Sequence, residues 1–147
     1  MSQELPEPKV ASSDMSHLFT HRLEVRFRDC DSLGHTNNAV YLTYLEQTRL
    51  HYWRELWGFA TPASTVPGVI MARAEIDYRR PSFFGQTLEV RMSLAAIGKT
   101  SFTYDYEIVD GANNVIAAAR TVQVMYDYEK AKPMPISDEI RQKMTKS

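Results

Sequence analysis

The stretch HRLEVRFRDCDSLGHTNNAVYLTYLEQTRLHYWRELWG, residues 21–58, changes its hydrophobic period partway along, and that change decides the fold. From His21 to Arg28 the residues Leu23, Val25 and Phe27 alternate with Arg22, Glu24, Arg26 and Arg28, the two-residue period of a strand with one wet face. Asp29 to Asn38 is dense in turn formers and helix caps. Beyond it Tyr41, Tyr44, Leu45, Thr48, Tyr52 and Leu56 recur three or four apart, and Gly58 stands where a helix C-cap belongs. The spacing predicts a helix from about Ala39 to Trp57.

Four more strands follow, with no second long helical pattern between them. Ile70, Ala72, Ala74, Ile76 and Tyr78 alternate with charged residues up to Pro81. Leu88, Val90, Met92, Leu94 and Ala96 do the same, and a Gly98-Lys99 turn leads into Phe102, Tyr104, Tyr106 and Ile108. Asp110 to Asn114 turns the chain into a run from Val115 to about Tyr128 that is apolar on both faces, as an interior or interface strand is. One strand, one helix and four strands in succession predict the α+β class, a five-stranded antiparallel sheet packed on one long helix. Such a helix is about 28 Å long and about 10 Å wide, whereas five strands span about 24 Å. One helix leaves part of that face bare, so a second copy of the chain is expected to cover it and to pair with an exposed sheet edge.

At 147 residues the chain buries roughly 70% of its unfolded surface, enough for one core without metal or disulfide staples. Residues 1–17, with Pro6, Pro8 and several serines, read as a flexible tail, 18–130 as the single domain and 131–147 as a charged C-terminal tail. Lys and Arg number 17 against 18 Asp and Glu, so the positive field of a nucleic-acid binder is missing. No apolar run is long enough for a membrane span, and no secretory or transit signal opens the chain. A single cysteine, Cys30, excludes an internal disulfide and suits a reducing compartment; a cytoplasmic protein is expected.

Asp29 and Asp31 lie between the first strand and the positive end of the helix. They read equally as turn formers and caps, or as a base or nucleophile beside backbone N–H groups able to hold an oxyanion. His35 reads as a general base, a metal ligand or a donor that orders the loop. His17, His21 and His51 have no spacing that completes a metal shell, so neither metal nor cofactor is expected. Arg79, Arg80, Lys99, Lys130 and Lys132 sit at strand ends or turns, either as solvated charge or as contacts for a phosphate-bearing ligand.

The segment from Arg28 to Tyr41 resembles the D-x-D-x-x-G-H-x-N-N-x-x-Y signature of hotdog-fold thioesterases of the 4-hydroxybenzoyl-CoA thioesterase type, through Asp29, Asp31, Gly34, His35, Asn37, Asn38 and Tyr41. Tyr78-Arg79-Arg80-Pro81 and Gly98-Lys99-Thr100-Ser101-Phe102 are similar to later landmarks of the family. The resemblance implies a sheet wrapped around the helix, a homodimer or homotetramer, and hydrolysis of an acyl-CoA. It implies Asp31 as the catalytic carboxylate, the N–H at Asn38 as the carbonyl-polarising donor, and His35 and Asn37 as loop-ordering residues. Tyr41, Arg80, Lys99, Thr100 and Ser101 are implied on the substrate side, with Lys99 and Arg80 near phosphates. The H-x-N-N form implies an aliphatic rather than an aromatic acyl group. An acyl carrier protein thioesterase and a hotdog dimer that binds acyl-CoA without hydrolysing it are the alternatives.

Overall fold

A computed structural model describes residues 18–57 and 68–145. Strand β1 (Phe19–Glu24) leads through a single 3₁₀ turn, Phe27–Asp29, and a loop into helix α1 (Val40–Trp57). Strands β2 (Val69–Tyr78), β3 (Thr87–Ile97), β4 (Ser101–Val109) and β5 (Val115–Asp127) follow, then the two-residue β6 (Lys132–Pro133) and helix α2 (Asp138–Thr145). The sheet is antiparallel in the order β1-β3-β4-β5-β2, with β6 added to β5. The five-stranded sheet and one long helix are those expected from the period change.

The helix packs through the predicted stripe. Tyr41, Tyr44, Leu45, Tyr52 and Trp53 are buried against Leu88, Val90, Met92, Phe102, Tyr104, Tyr106 and Ile108. Several hydroxyl and indole tips in this aromatic core find partners, as most buried polar groups do. Trp53 Nε1 donates to the Tyr104 hydroxyl at 3.0 Å, and Thr48 Oγ1 donates to the Tyr44 carbonyl at 2.8 Å. β5 runs between β4 and β2, and Ile116 to Ala119 are all buried, which accounts for its two apolar faces.

Three expectations change. The first strand stops at Glu24 rather than Arg28 and Phe27 is 79% exposed, because the Asp29 carboxylate accepts the Arg26 N–H at 2.9 Å and winds the chain into the 3₁₀ turn. Residues 131–145 are not a tail: Ile136, Ile140 and Met144, four apart, bury one stripe of α2 and the segment leading to it. Ser137 caps that helix, its Oγ accepting the Ile140 N–H at 3.2 Å, and Asp138 and Glu139 lie favourably in its first turn. The Tyr104 hydroxyl donates to Met144 Sδ at 3.4 Å, tying α2 to β4. On β2, Ala72 and Ala74 of the predicted apolar face are exposed, and this strand ends the sheet path with pairing on one side only among the described residues. The tail expected at 1–17 lies outside the described residues.

Candidate active site

The connection from β1 to α1 sets two similar aspartates in opposite environments. Asp29 is buried, and its carboxylate accepts from the Arg26 guanidinium at 2.9 Å and from the Tyr44 hydroxyl at 2.9 Å, besides the Arg26 N–H. Burial pushes its carboxyl pKa up, but the Arg26 side chain and N–H and the Tyr44 hydroxyl together outweigh that and hold it below the usual value. Burial and the adjacent Asp29 charge push the Tyr44 hydroxyl well above its ordinary range, so it stays a neutral donor. The Asp29 carbonyl also accepts the Asn37 N–H at 2.9 Å, so this residue staples both ends of the loop.

Asp31 is exposed. Its Oδ1 accepts the Leu33 N–H at 2.9 Å, and the turn closes through Gly34, whose N–H donates to the Asp31 carbonyl at 3.0 Å with φ +90°. That conformation suits glycine because no Cβ opposes it. The Asp31 N–H donates to the His35 carbonyl at 3.0 Å, so the carboxylate is held at a fixed place relative to His35. The His35 ring meets Phe83 edge-on with centroids 5.9 Å apart.

The start of α1 carries the donor. Asn37 Oδ1 accepts the Ala39 N–H at 2.9 Å, and the Asn37 and Asn38 carbonyls accept from Val40 and Tyr41. The Asn38 N–H itself donates to no acceptor among the described residues. It lies just ahead of a long helix, where the backbone dipoles sum to about half a positive charge. The Asn38 carbonyl accepts the Tyr78 hydroxyl at 3.1 Å, which fixes the peptide plane from the sheet side.

A cleft of about 240 Å³ opens here, lined by His35, Thr36, Asn38, Tyr41, Tyr78, Arg79, Arg80 and Pro81. Two of its lining residues are joined through the buried Ser82 hydroxyl: Thr36 Oγ1 and Ser82 Oγ at 2.6 Å, and Ser82 Oγ and the Tyr41 hydroxyl at 2.7 Å. Residue types alone do not point to Ser82, and Tyr78 enters only as a strand residue of the Tyr78-Arg79-Arg80-Pro81 landmark, with no role at the site; the resemblance of that segment and the Pro81 that halts β2 are the signals available. Of the implied residues, the cleft gathers His35, Asn38, Tyr41 and Arg80, while Asn37 caps from below and Asp31 is tied to His35 at the margin.

Lys99, Thr100 and Ser101 are elsewhere. They lie at the turn after β3, whose opposite end borders the β1–α1 connection, so a strand of about 30 Å separates them from the cleft within one chain. The Ile136 N–H donates to the Lys99 carbonyl at 2.8 Å and the Met125 N–H to the Thr100 carbonyl at 2.8 Å, so the turn anchors the C-terminal segment. Among the described residues no three His, Cys, Asp or Glu side chains converge as metal ligands.

A helix start that lines a cleft, on a carboxylate-stapled loop beside an antiparallel sheet, is the setting of a hotdog-fold thioester hydrolase, the class to which this chain belongs. The chain belongs to the thioesterase-like superfamily, whose pattern it matches over residues 25–144, α2 included. It is 25% identical to a long-chain acyl-CoA thioesterase of Escherichia coli, covering 84% of this chain and 94% of that one. It is 30% identical to a 1,4-dihydroxy-2-naphthoyl-CoA hydrolase of Nostoc punctiforme, covering 84% of each. A thioesterase of Thermus thermophilus solved with coenzyme A and zinc superimposes with a TM-score of 0.76 at 29% identity, over 87% of this chain and 92% of that one.

Proposed function

We propose that the protein hydrolyses fatty acyl-CoA thioesters, with Asp31 as the reacting carboxylate and the Asn38 N–H as the oxyanion donor. The observation that carries this reading is that Asn38, whose N–H is unpaired among the described residues, lines a cleft together with His35, whose carbonyl accepts the N–H of the exposed Asp31. Negative charge gathers on the thioester oxygen as the carbonyl is attacked, and one donor placed for it contributes about 2.7 to 4 kcal/mol at the transition state. Asp31 takes the proton of the attacking water; the tetrahedral intermediate then collapses with loss of the CoA thiolate, which takes up a proton. His35 and Asn37 hold the loop, Tyr41 lines the cleft, and Arg80 faces the phosphates. A nucleophilic route has Asp31 attack first, giving a mixed anhydride that water opens. One turnover in heavy-oxygen water tests for the second route: label in the Asp31 carboxylate requires an anhydride opened at the Asp31 carbonyl, whereas the first route labels the product acid alone.

The enzyme named for long-chain acyl-CoA in Escherichia coli and the coenzyme A held by the Thermus relative support a CoA thioester as substrate. A homodimer formed along the open β2 edge completes the reading, since Ala72 and Ala74 there are exposed beside unpaired backbone. The test is thiol release from short, medium and long acyl-CoAs by the wild type and Asp31→Asn. Loss of two or more orders of magnitude in the variant, with fold and assembly intact, is the expected result. Absence of thiol release by the wild type from every CoA and carrier-protein thioester would overturn the reading.

A further inference from the structure

A second cavity, about 330 Å³, lies farther along the same helix and plays no part in the chemistry above; Glu46, Arg49, Leu50, Trp53, Val69, Met71 and Gln123 line it. Arg49 is only 6% exposed, yet it forms no ion pair among the described residues. Its one hydrogen bond to another side chain is from Nη1 to the neutral Tyr106 hydroxyl at 3.2 Å, and that hydroxyl already shares a 2.6 Å hydrogen bond with Thr121. A guanidinium has five donors, and a buried one without an anion is costly. Asp105, the buried carboxylate of the neighbouring strand, is taken by Arg120 through two hydrogen bonds. Residues 58–67, which join α1 to β2, contain no Asp or Glu. Glu46 lines the cavity but is exposed, where water screens its charge. Gln123 Oε1 is buried in the same wall without a hydrogen-bond partner.

The two cavities lie along one helix, the first at its start and the second farther down. Leu42, Glu46, Arg49 and Trp53 follow one another at three- and four-residue spacing on one stripe of α1, starting one turn past Asn38. Leu42, 43% exposed, offers open apolar surface on that stripe between Asn38 and Arg49. From Asn38 to Arg49 the helical rise amounts to about 16 Å. An extended chain advances about 3.3–3.6 Å for every three bonds, so roughly a dozen carbons bridge that distance.

Resting on the thioesterase reading, we propose that the Arg49 cavity receives the far end of the acyl group and selects a carboxylate there, making CoA monothioesters of medium-chain dicarboxylic acids the preferred substrates. The thioester carbonyl sits at Asn38, the methylene chain runs along Leu42, and the distal carboxylate takes the unused donors of Arg49. Arg49 is then a specificity residue that never touches the reacting atoms.

The test compares kcat/KM for dodecanoyl-CoA and for the CoA monothioester of dodecanedioic acid. The wild type is expected to favour the diacid thioester by about tenfold or more, Arg49→Gln to lose that preference, and Arg49→Lys to keep part of it. Equal or better hydrolysis of dodecanoyl-CoA by the wild type overturns the proposal. So does an Arg49→Gln enzyme with an unchanged ratio, including one that dissociates because a second copy supplies the counter-charge. Calorimetric titration of the wild type with free dodecanedioate and dodecanoate decides the matter even where the variants fail to fold or no thioester is cleaved. About tenfold tighter binding of the diacid supports the site, and equal or weaker binding removes it. Absence of thiol release with tight diacid binding would instead count against the hydrolase reading alone.

Discussion

Asp29 and Asp31 stand two positions apart and have the same side chain, yet one is a structural staple and the other is free to react. The difference lies in their partners. Asp29 stays ionised because Arg26 and Tyr44 hold it, so Asp29→Asn is expected to lower stability by about 1.5–3 kcal/mol in urea unfolding. Its folded pKa lies below the unfolded value of about 3.9, so its contribution is complete above that pH and fades as the pH falls through the folded value. The acid limb of the wild-type stability curve should therefore be steeper than that of Asp29→Asn, measured between neutral pH and the acid transition. Asp31 has no such network, and Asp31→Asn should leave the melting temperature within a degree or two while removing activity. A variant that lost both would make Asp31 structural.

At the scale of elements, the turn after β1 and the C-terminal helix depart most from the sequence reading, for one physical reason. Alternation and helical spacing report which residues can share a face, but a single side-chain hydrogen bond or one remote hydrophobic contact decides where an element ends. Phe27 fits the strand pattern and still faces solvent against Phe84, with ring centroids 5.9 Å apart, because Asp29 turns the chain first. In α2 the charges of Asp138, Glu139, Arg141 and Lys143 hide a buried stripe of only two residues, Ile140 and Met144. Met144→Ala should cost about 2–5 kcal/mol, the usual price of emptying a filled core site, and Ser137→Ala about 1 kcal/mol through the lost cap. Thermal melts monitored by circular dichroism would show both. A negligible effect of Met144→Ala would mean that α2 does not belong to the cooperative unit.

For the molecule as a whole, the open β2 edge and the uncovered alanines beside it predict assembly. Ala72→Lys with Ala74→Lys should leave each chain folded and shift the proposed dimer to monomer in sedimentation velocity, since charge on an edge strand opposes pairing. An unshifted dimer would place the interface elsewhere. The switch from two-residue to helical periodicity between Arg28 and Tyr41, and the four alternating runs after it, determined the α+β class, the long helix and its buried face, because burial imposes these periods on any such sequence. The signature around Asp31 also pointed to the β1–α1 connection as the candidate site. The tertiary structure alone decided which aspartate is engaged, that Lys99 to Ser101 lie a strand's length away, and that, among the described residues, the Asn38 N–H is unpaired and the buried Arg49 has no ion-pair partner. These are relations between residues distant in the chain, set by strand pairing and helix packing, and no local pattern encodes them.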